Sequence, residues 1–413
     1  MRFHSFVYSL LTLLSFIACN PTATKHQQSF DTKKIAEFKH FISKEITAGK
    51  IAGAEVLISK DNKIVLREAQ GFANITKQKE LAKNSIYYIQ SMTKPIISSA
   101  IMQLHEKGLL SLEDDVSRFI PEIETLRVTI DPEQGLEGST VPLEKSLTIR
   151  HLLTHTSGLS HGLGNNKLES QLYQLLYGQA EDYKIHENIE SRVAALLSVP
   201  LIGQPDKQWY YSAGGDLLAL IIKRVSKQNI QDYLQENIFD PLEMKDTGYN
   251  IPEKESGRVM SLHEFNENGK LETSKIQVPK TGNTIFGGTH GLYSTAKDYL
   301  NFCQMFLNKG TWKEHQVLKP EMVSLMAQNH VGDLYQSSGK GFGLGFEVIL
   351  DADKSEGPGN NRQLSWGGYF RTHFFIDPEQ QLIGLWMTQM LPHSNFYGNA
   401  LQENVYGALL NNP

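Results

Sequence analysis

Cysteine is almost absent from this chain: Cys19 and Cys303 are the only two in 413 residues. A disulfide scaffold is thereby excluded, and if Cys19 is used otherwise no pair remains. Charge of one sign is equally scarce. No long run of like charge occurs and the formal net charge is -5, which argues against the basic face of a nucleic-acid binder. There is no internal repeat and no low-complexity block. No Gly-rich nucleotide fingerprint lies between a strand and a helix either, so no cofactor is expected. Hydrophobic residues make up 40% and charged residues 21%. That balance belongs to a globular chain, here long enough for one large domain or two that share a cleft.

What is present begins at the N-terminus. Arg2 is followed by an apolar stretch from Phe6 to Ala18 that stops at Cys19-Asn20-Pro21. The stretch falls short of the roughly 20 apolar residues of a membrane-spanning helix and has the layout of a secretory signal. Ala18-Cys19 resembles a bacterial lipobox, with Phe16 where that motif usually has Leu. The expectation is a signal peptide over 1–18, a lipidated Cys19, and a polar tether over 19–30. The protein would then be exported and held at the cell envelope by its lipid. Cys303 falls among Tyr299, Phe302 and Phe306 on an amphipathic stretch, where buried packing is the expected role.

Asp31–Lys50 reads as an amphipathic helix, and Ala54–Ser59 with Lys63–Glu68 as a hairpin about Asp61-Asn62. Helical periodicity dominates from Pro95 to about Pro241, with Ile97–Leu104 and Leu217–Val225 as apolar helices. Strand signals return after about Phe286, at Gly343–Leu350, His373–Asp377 and Leu382–Met387, before a closing helix over Asn399–Leu410. The pattern predicts an α/β (α+β) fold, an antiparallel sheet flanked by helices. Both termini would build the sheet part, about 31–94 and 286–413, and the mainly helical part, about 95–285, would be inserted. A site is expected in the cleft between them.

Ser-x-x-Lys places a hydroxyl and an amine on one helix face. The lysine can take the serine proton once it is neutral, a state that burial and nearby cations favour. Two fixed residue types give about one or two chance matches in a chain this long. Three occur: Ser91-Met-Thr-Lys94, Ser294-Thr-Ala-Lys297 and Ser337-Ser-Gly-Lys340. Ser337 lies among Gly339, Gly341, Gly343 and Gly345, a poor setting for helical spacing, and Ser294-Thr295 before Asp298 looks like a helix N-cap. Ser91 opens a helix whose Ile96, Ile97, Ala100, Ile101 and Leu104 form one apolar face, with Pro95 tolerated in the first turn. On these residues alone, a nucleophile and a plain N-cap both remain open for Ser91.

Five further landmarks follow in order: Leu147–Leu159 (LTIRHLLTHTSGL), Trp209–Gly215 (WYYSAGG), Gly287–Asp298, Gly341–Phe346 (GFGLGF) and Trp366-Gly-Gly368 before Phe374–Pro378. With Ser91–Pro95 they resemble the serine β-lactamase and penicillin-binding protein superfamily, in its subgroup of class C β-lactamases, D-aminopeptidases, D,D-carboxypeptidases and esterases. The likeness runs over nearly the whole chain after the leader. It implies that Ser91 is acylated, that Lys94 and Tyr211 share the acid and base work, and that the backbone N–H groups of Ser91 and Tyr369 form the oxyanion hole.

Two departures bear on substrate. Tyr211-Ser-Ala213 has Ala213 where the family's Tyr-x-Asn has Asn, and Trp366-Gly367-Gly368 stands where β-lactamases present Lys-Thr-Gly or His-Thr-Gly. Tryptophan brings no charge to a substrate carboxylate, so the variant resembles the esterase branch. Arg371 or His373 is placed to restore a cation. His290 is taken as a substrate-binding candidate, and His161, near a Gly-rich loop, is left open between the cleft and a structural role. His151 and His155 have a spacing that can bind metal on a helix, but no third ligand is evident and structural roles are assigned. Tyr397-Gly-Asn399 repeats Tyr-x-Asn out of order and is set aside. The expected partner is a small-molecule ester or amide. A β-lactamase or D-amino-acid peptidase is the alternative enzyme, and a non-catalytic lipoprotein on this fold is the alternative outside enzymes.

Overall fold

The computed structural model of the protein describes residues 30–178 and 185–410. The leader, Cys19 and the tether through Ser29 lie outside the described residues. Phe30, assigned above to the tether, is buried and bridges Leu409, so it already belongs to the folded domain. Asp31 then caps α1 (Thr32–Thr47) by accepting from the amides of Lys33 and Lys34, and α1 buries Phe38 and Ile42. Next come β1 (Gly53–Lys60) and β2 (Lys63–Asn74). Their turn residues Asp61 and Asn62 have φ of 51° and 60°, the left-handed pair that a two-residue hairpin requires.

After β3 (Lys79–Glu80) the chain turns helical, through α2 (Thr93–Glu106), α3 (Ile149–Leu153), α4 (Lys167–Tyr177), α5 (Ile189–Leu197), α6 (Gly214–Ser226), α7 (Ile230–Leu234), α8 (Ala296–Leu307) and α9 (Pro320–Met326). It then completes the sheet with β4 (Lys340–Phe342), β5 (Glu347–Ile349), β6 (Leu364–Gly367), β7 (His373–Asp377) and β8 (Leu382–Met387), and closes with α10 (Phe396–Ala408). The eight strands run β4-β5-β6-β7-β8-β1-β2-β3, and every neighbouring pair is antiparallel. The two ends of the chain meet at β1 and β8, with Val56 opposite Trp386 and Leu57 opposite Leu385.

Both faces of this sheet are covered, which is why LIGLWM in β8 is continuously apolar instead of alternating. Trp386 turns with Val56 and Phe375 toward Phe38, Tyr397 and Leu401 of the two terminal helices, while Leu385 and Leu57 turn toward the large core under α2 and α8. Cys303 is fully buried in α8. Among the described residues no helix is long and apolar enough to cross a membrane.

Two expectations need correction. Gly343–Leu350 is not one strand: the amide of Gly343 donates to the Phe346 carbonyl, and Gly345 sits at φ 95°. A tight hairpin therefore joins β4 and β5. His151 and His155 do not share a helix, because α3 ends at Leu153 and His155 has φ 59°.

Candidate active site

Ser91 lies in a 3-10 turn, Gln90–Met92, that runs straight into α2. The turn is reached through Gln90 at φ 49°, an uncommon conformation for a non-glycine residue and a place where backbone strain concentrates. One helical turn on, Lys94 brings its ammonium to 3.3 Å from Ser91 Oγ. Tyr211, from the loop before α6, places its Oη 2.7 Å from Ser91 Oγ and 2.7 Å from Lys94 Nζ. Lys94 Nζ also donates to the carbonyl of Thr289 at 2.9 Å, so it is held among Ser91, Tyr211 and Thr289. Hydroxyl, phenol and amine thus close a triangle through which a proton can leave Ser91.

Tyr211 is held by its ring. His161 stacks on it at 5.3 Å, the edge of His155 meets it at 4.9 Å, Trp366 leans on it at 5.6 Å, and Lys94 Nζ lies 4.5 Å from its centroid. His155 is fixed in turn, its Nδ1 accepting from the Ser212 amide. Burial, and next to it the charge of Lys94, drives both His155 and His161 well below the ordinary imidazole range, so two neutral rings flank the phenol.

The Thr289 carbonyl is held by a buried ion pair. Asp216 Oδ1 accepts from the amides of Gly288 and Thr289 at 3.0 and 2.9 Å, and Oδ2 meets Arg192 Nε at 2.6 Å. Arg192 also donates to the Leu176 carbonyl and reaches His290. Burial opposes the charge of Asp216, but Arg192 prevails and brings the carboxyl down to about 2.

The triangle opens on a cavity of about 440 Å³. Of the residues expected at the site, Ser91, Tyr211, Trp366, Gly367, Gly368, Tyr369, His373 and His290 line it, and His161 joins them. Gly368 is required there: a Cβ would stand 2.5 Å from the Ile89 carbonyl, so only glycine lets the end of β6 close on the Ser91 turn. Lys94, Ala213 and Arg371 do not line it. Ala213 is fully buried at the start of α6, its carbonyl taken by the Thr289 hydroxyl. Arg371 turns away, donating to the Pro392 carbonyl with its guanidinium over the Tyr397 ring. Tyr397 itself packs flat on Trp386.

His373 supplies no cation either, because burial lowers it to about 4. The same cause lowers His263 to about 4 and His290 to about 3. Each of the three is depressed in the folded state, so its stabilising contribution is present above about pH 6.5 and is lost as pH falls toward 4. Glu55, raised by burial to about 7, opposes this between its ordinary range and 7. The net expectation is a fall in unfolding free energy of a few kcal/mol between pH 6.5 and 4.5, at about 1.4 kcal/mol per pH unit for each histidine. Urea melts at the two pH values check it, and equal midpoints would refute it.

Asp216, Arg192, Thr289, Lys340, Glu347 and the α4 tyrosines Tyr173 and Tyr177 were not singled out as site residues in the sequence. Lys340 carried a signal as the end of a Ser-x-x-Lys match and Thr289 as part of the Gly287–Asp298 landmark; the others depend on which distant segments meet.

Comparison with known proteins follows this geometry. The chain is 32% identical over 361 residues to an uncharacterized protein of Mycobacterium tuberculosis, covering 84% of this chain and 87% of that one. It is 28% identical over 375 residues to a lovastatin esterase of Penicillium rubens, covering 82% and 89%. Among solved structures, EstCE1, described as a hydrolase with promiscuous acyltransferase activity, superposes with a TM-score of 0.77 over 91% of this chain and 99% of that one. At 23% identity that likeness shows the fold. The family described as Beta-lactamase matches residues 38–406, and the chain belongs to it.

Proposed function

We propose that this protein is an exported, lipid-anchored serine esterase. The observation that carries the reading is the triangle of Ser91, Lys94 and Tyr211 with sides of 3.3, 2.7 and 2.7 Å at the wall of a cavity. Ser91 Oγ attacks the ester carbonyl carbon while its proton passes into the Tyr211–Lys94 pair. The carbonyl oxygen, now negative, is received by the N–H groups of Ser91 and Tyr369, a placement that typically contributes 10²–10³ per donor. The alcohol leaves with the proton as the acyl-Ser91 bond forms. Water, surrendering a proton to the same pair, then releases the acid and restores the hydroxyl.

An ester is favoured over a β-lactam or a peptide because Trp366 and Ala213 replace the polar residues those substrates would use, and because a relative is named as an esterase. The test is intact mass of the mature chain mixed with p-nitrophenyl butyrate and, separately, with a penicillin and a cephalosporin. Ester turnover through an acyl adduct on the Ser91 peptide is expected, absent in Ser91→Ala. A β-lactam adduct without ester turnover would transfer the assignment to cell-wall chemistry. For the anchor, the same mass method on protein taken from membranes reads a lipid on Cys19 or an unmodified N-terminus, and the latter removes the lipid from the proposal.

A further inference from the structure

The cavity changes character along its length. Beside α4 it is lined by Leu163, Tyr173 and Tyr177, and along β4 to β6 by Tyr335, Lys340, Glu347 and Ser365. Gln402 and two asparagines of the closing segment face the same arm. Lys340 is the only lysine or arginine among the described lining residues. Of the other basic side chains nearby, Arg371 points away, burial lowers His373 to about 4, and His393, which also lines the cavity, stacks on Tyr369 with its Nδ1 3.2 Å from that residue's carbonyl.

Lys340 is also held in place. Its Nζ lies 2.8 Å from Glu347 Oε1, which accepts in addition from Ser365 Oγ at 3.2 Å, while Oε2 accepts from the Tyr335 hydroxyl at 2.6 Å. Both oxygens of Glu347 are therefore occupied, by three donors. An ammonium carries three N–H donors, and Glu347 is its one hydrogen-bond partner among the described residues. The pair is largely shielded, at 21% and 17% side-chain exposure. Two positions along β4, the buried Phe342 backs Trp366 at 5.3 Å, and Trp366 lines the cavity between Ser91 and Lys340. Beside a shielded pair of this kind a charge-assisted hydrogen bond is stronger than in open water.

We propose that Lys340 is the specificity-determining residue of this cavity, receiving a carboxylate at the far end of the ester whose carbonyl meets Ser91. The inference rests on the esterase reading and adds the substrate class to it: esters of a dicarboxylic acid, or of an alcohol that itself bears a carboxylate. Glu347 positions the lysine, three of its about four lone-pair sites being used by Lys340, Ser365 and Tyr335. The anchored ammonium thus discriminates by charge where Trp366 cannot.

The experiment compares mono-p-nitrophenyl adipate and suberate with their neutral methyl esters, and 4-carboxyphenyl butyrate with phenyl butyrate, on wild type, Lys340→Met and Lys340→Arg. Wild type is expected to prefer at least one anionic member over its neutral partner by about tenfold in kcat/KM, the scale of one hydrogen bond to a charged group. The preference should reside in KM and shrink with added salt. Lys340→Met should bring the ratio near one, and Lys340→Arg should retain part of it. Turnover of neutral esters without an anionic preference in wild type, or a ratio that survives Lys340→Met, overturns the inference and leaves the esterase reading standing. Absence of turnover of every ester overturns both. Each ratio is taken within one variant, so a loss of folded protein cancels from it.

Discussion

Ser91→Ala is expected to lower kcat/KM for p-nitrophenyl butyrate on the order of 10⁵-fold, and adding Tyr211→Phe to it to cost almost nothing further. Tyr211→Phe alone should cost about 10²–10⁴-fold, the usual contribution of a positioned acid or base. The reason is that Tyr211 Oη serves the proton of Ser91 Oγ, 2.7 Å away. Once that oxygen is gone the phenol has nothing to activate, and losses within a unit of this kind are far from additive. Ser91→Ala leaves the Lys94–Tyr211 contact at 2.7 Å and the Lys94–Thr289 contact at 2.9 Å intact, so the melting temperature should hardly move. If the two losses multiply, Tyr211 acts on the substrate by itself and the proton-relay role assigned to it is wrong.

The fold was legible wherever local chemistry decides it. The Asp61-Asn62 turn, α1, α6, β7 and β8 all follow from turn residues, apolar periodicity or a short apolar run, and they stand close to the expected bounds. The expectation failed where tertiary contacts overrule the local pattern. Gly343–Leu350 has strand composition, but a Cβ at Gly343 would fall on the Met326 carbonyl, so the chain turns there. Ser91, Lys94 and Tyr211 could be singled out by the resemblance of their ordered motifs to a known family, since Ser-x-x-Lys by itself left Ser91 open. Arg371 was attractive for its charge, and its side-chain direction is set by Pro392 and Tyr397, which no local pattern encodes. Lys340 was visible and set aside, correctly as a base and too soon as a binding group. Its value comes from Glu347, Ser365 and Tyr335, residues that become neighbours only when β4, β5 and β6 pair.

The second large effect is expected at Asp216. Asp216→Asn should destabilise the protein by about 3–5 kcal/mol, because it leaves the Arg192 guanidinium buried without its counter-charge. Arg192 is only 4% exposed, and its other partners among the described residues, the Leu176 carbonyl, His290 and Tyr177, carry no counter-charge. Removing the stranded charge as well, in Asp216→Asn/Arg192→Met, should recover most of that loss, since an apolar side chain of similar length fills the site without needing a partner. Activity follows a separate path. The asparagine oxygen can still accept from the Gly288 and Thr289 amides, so the Thr289 carbonyl should remain beneath Lys94 and kcat should largely persist. In Asp216→Ala/Arg192→Met both amides lose their acceptor, and kcat should fall at least about tenfold with KM little changed, as the anchor of Lys94 drifts. Urea melts and steady-state kinetics on the three variants separate these effects. An Asp216→Asn/Arg192→Met protein no more stable than Asp216→Asn would sink the stranded-charge explanation. Undiminished kcat in Asp216→Ala/Arg192→Met would mean that the 288–289 turn is held by its other contacts, such as the bond from the Thr289 hydroxyl to the Ala213 carbonyl at 3.0 Å. The buried pair would then serve stability alone.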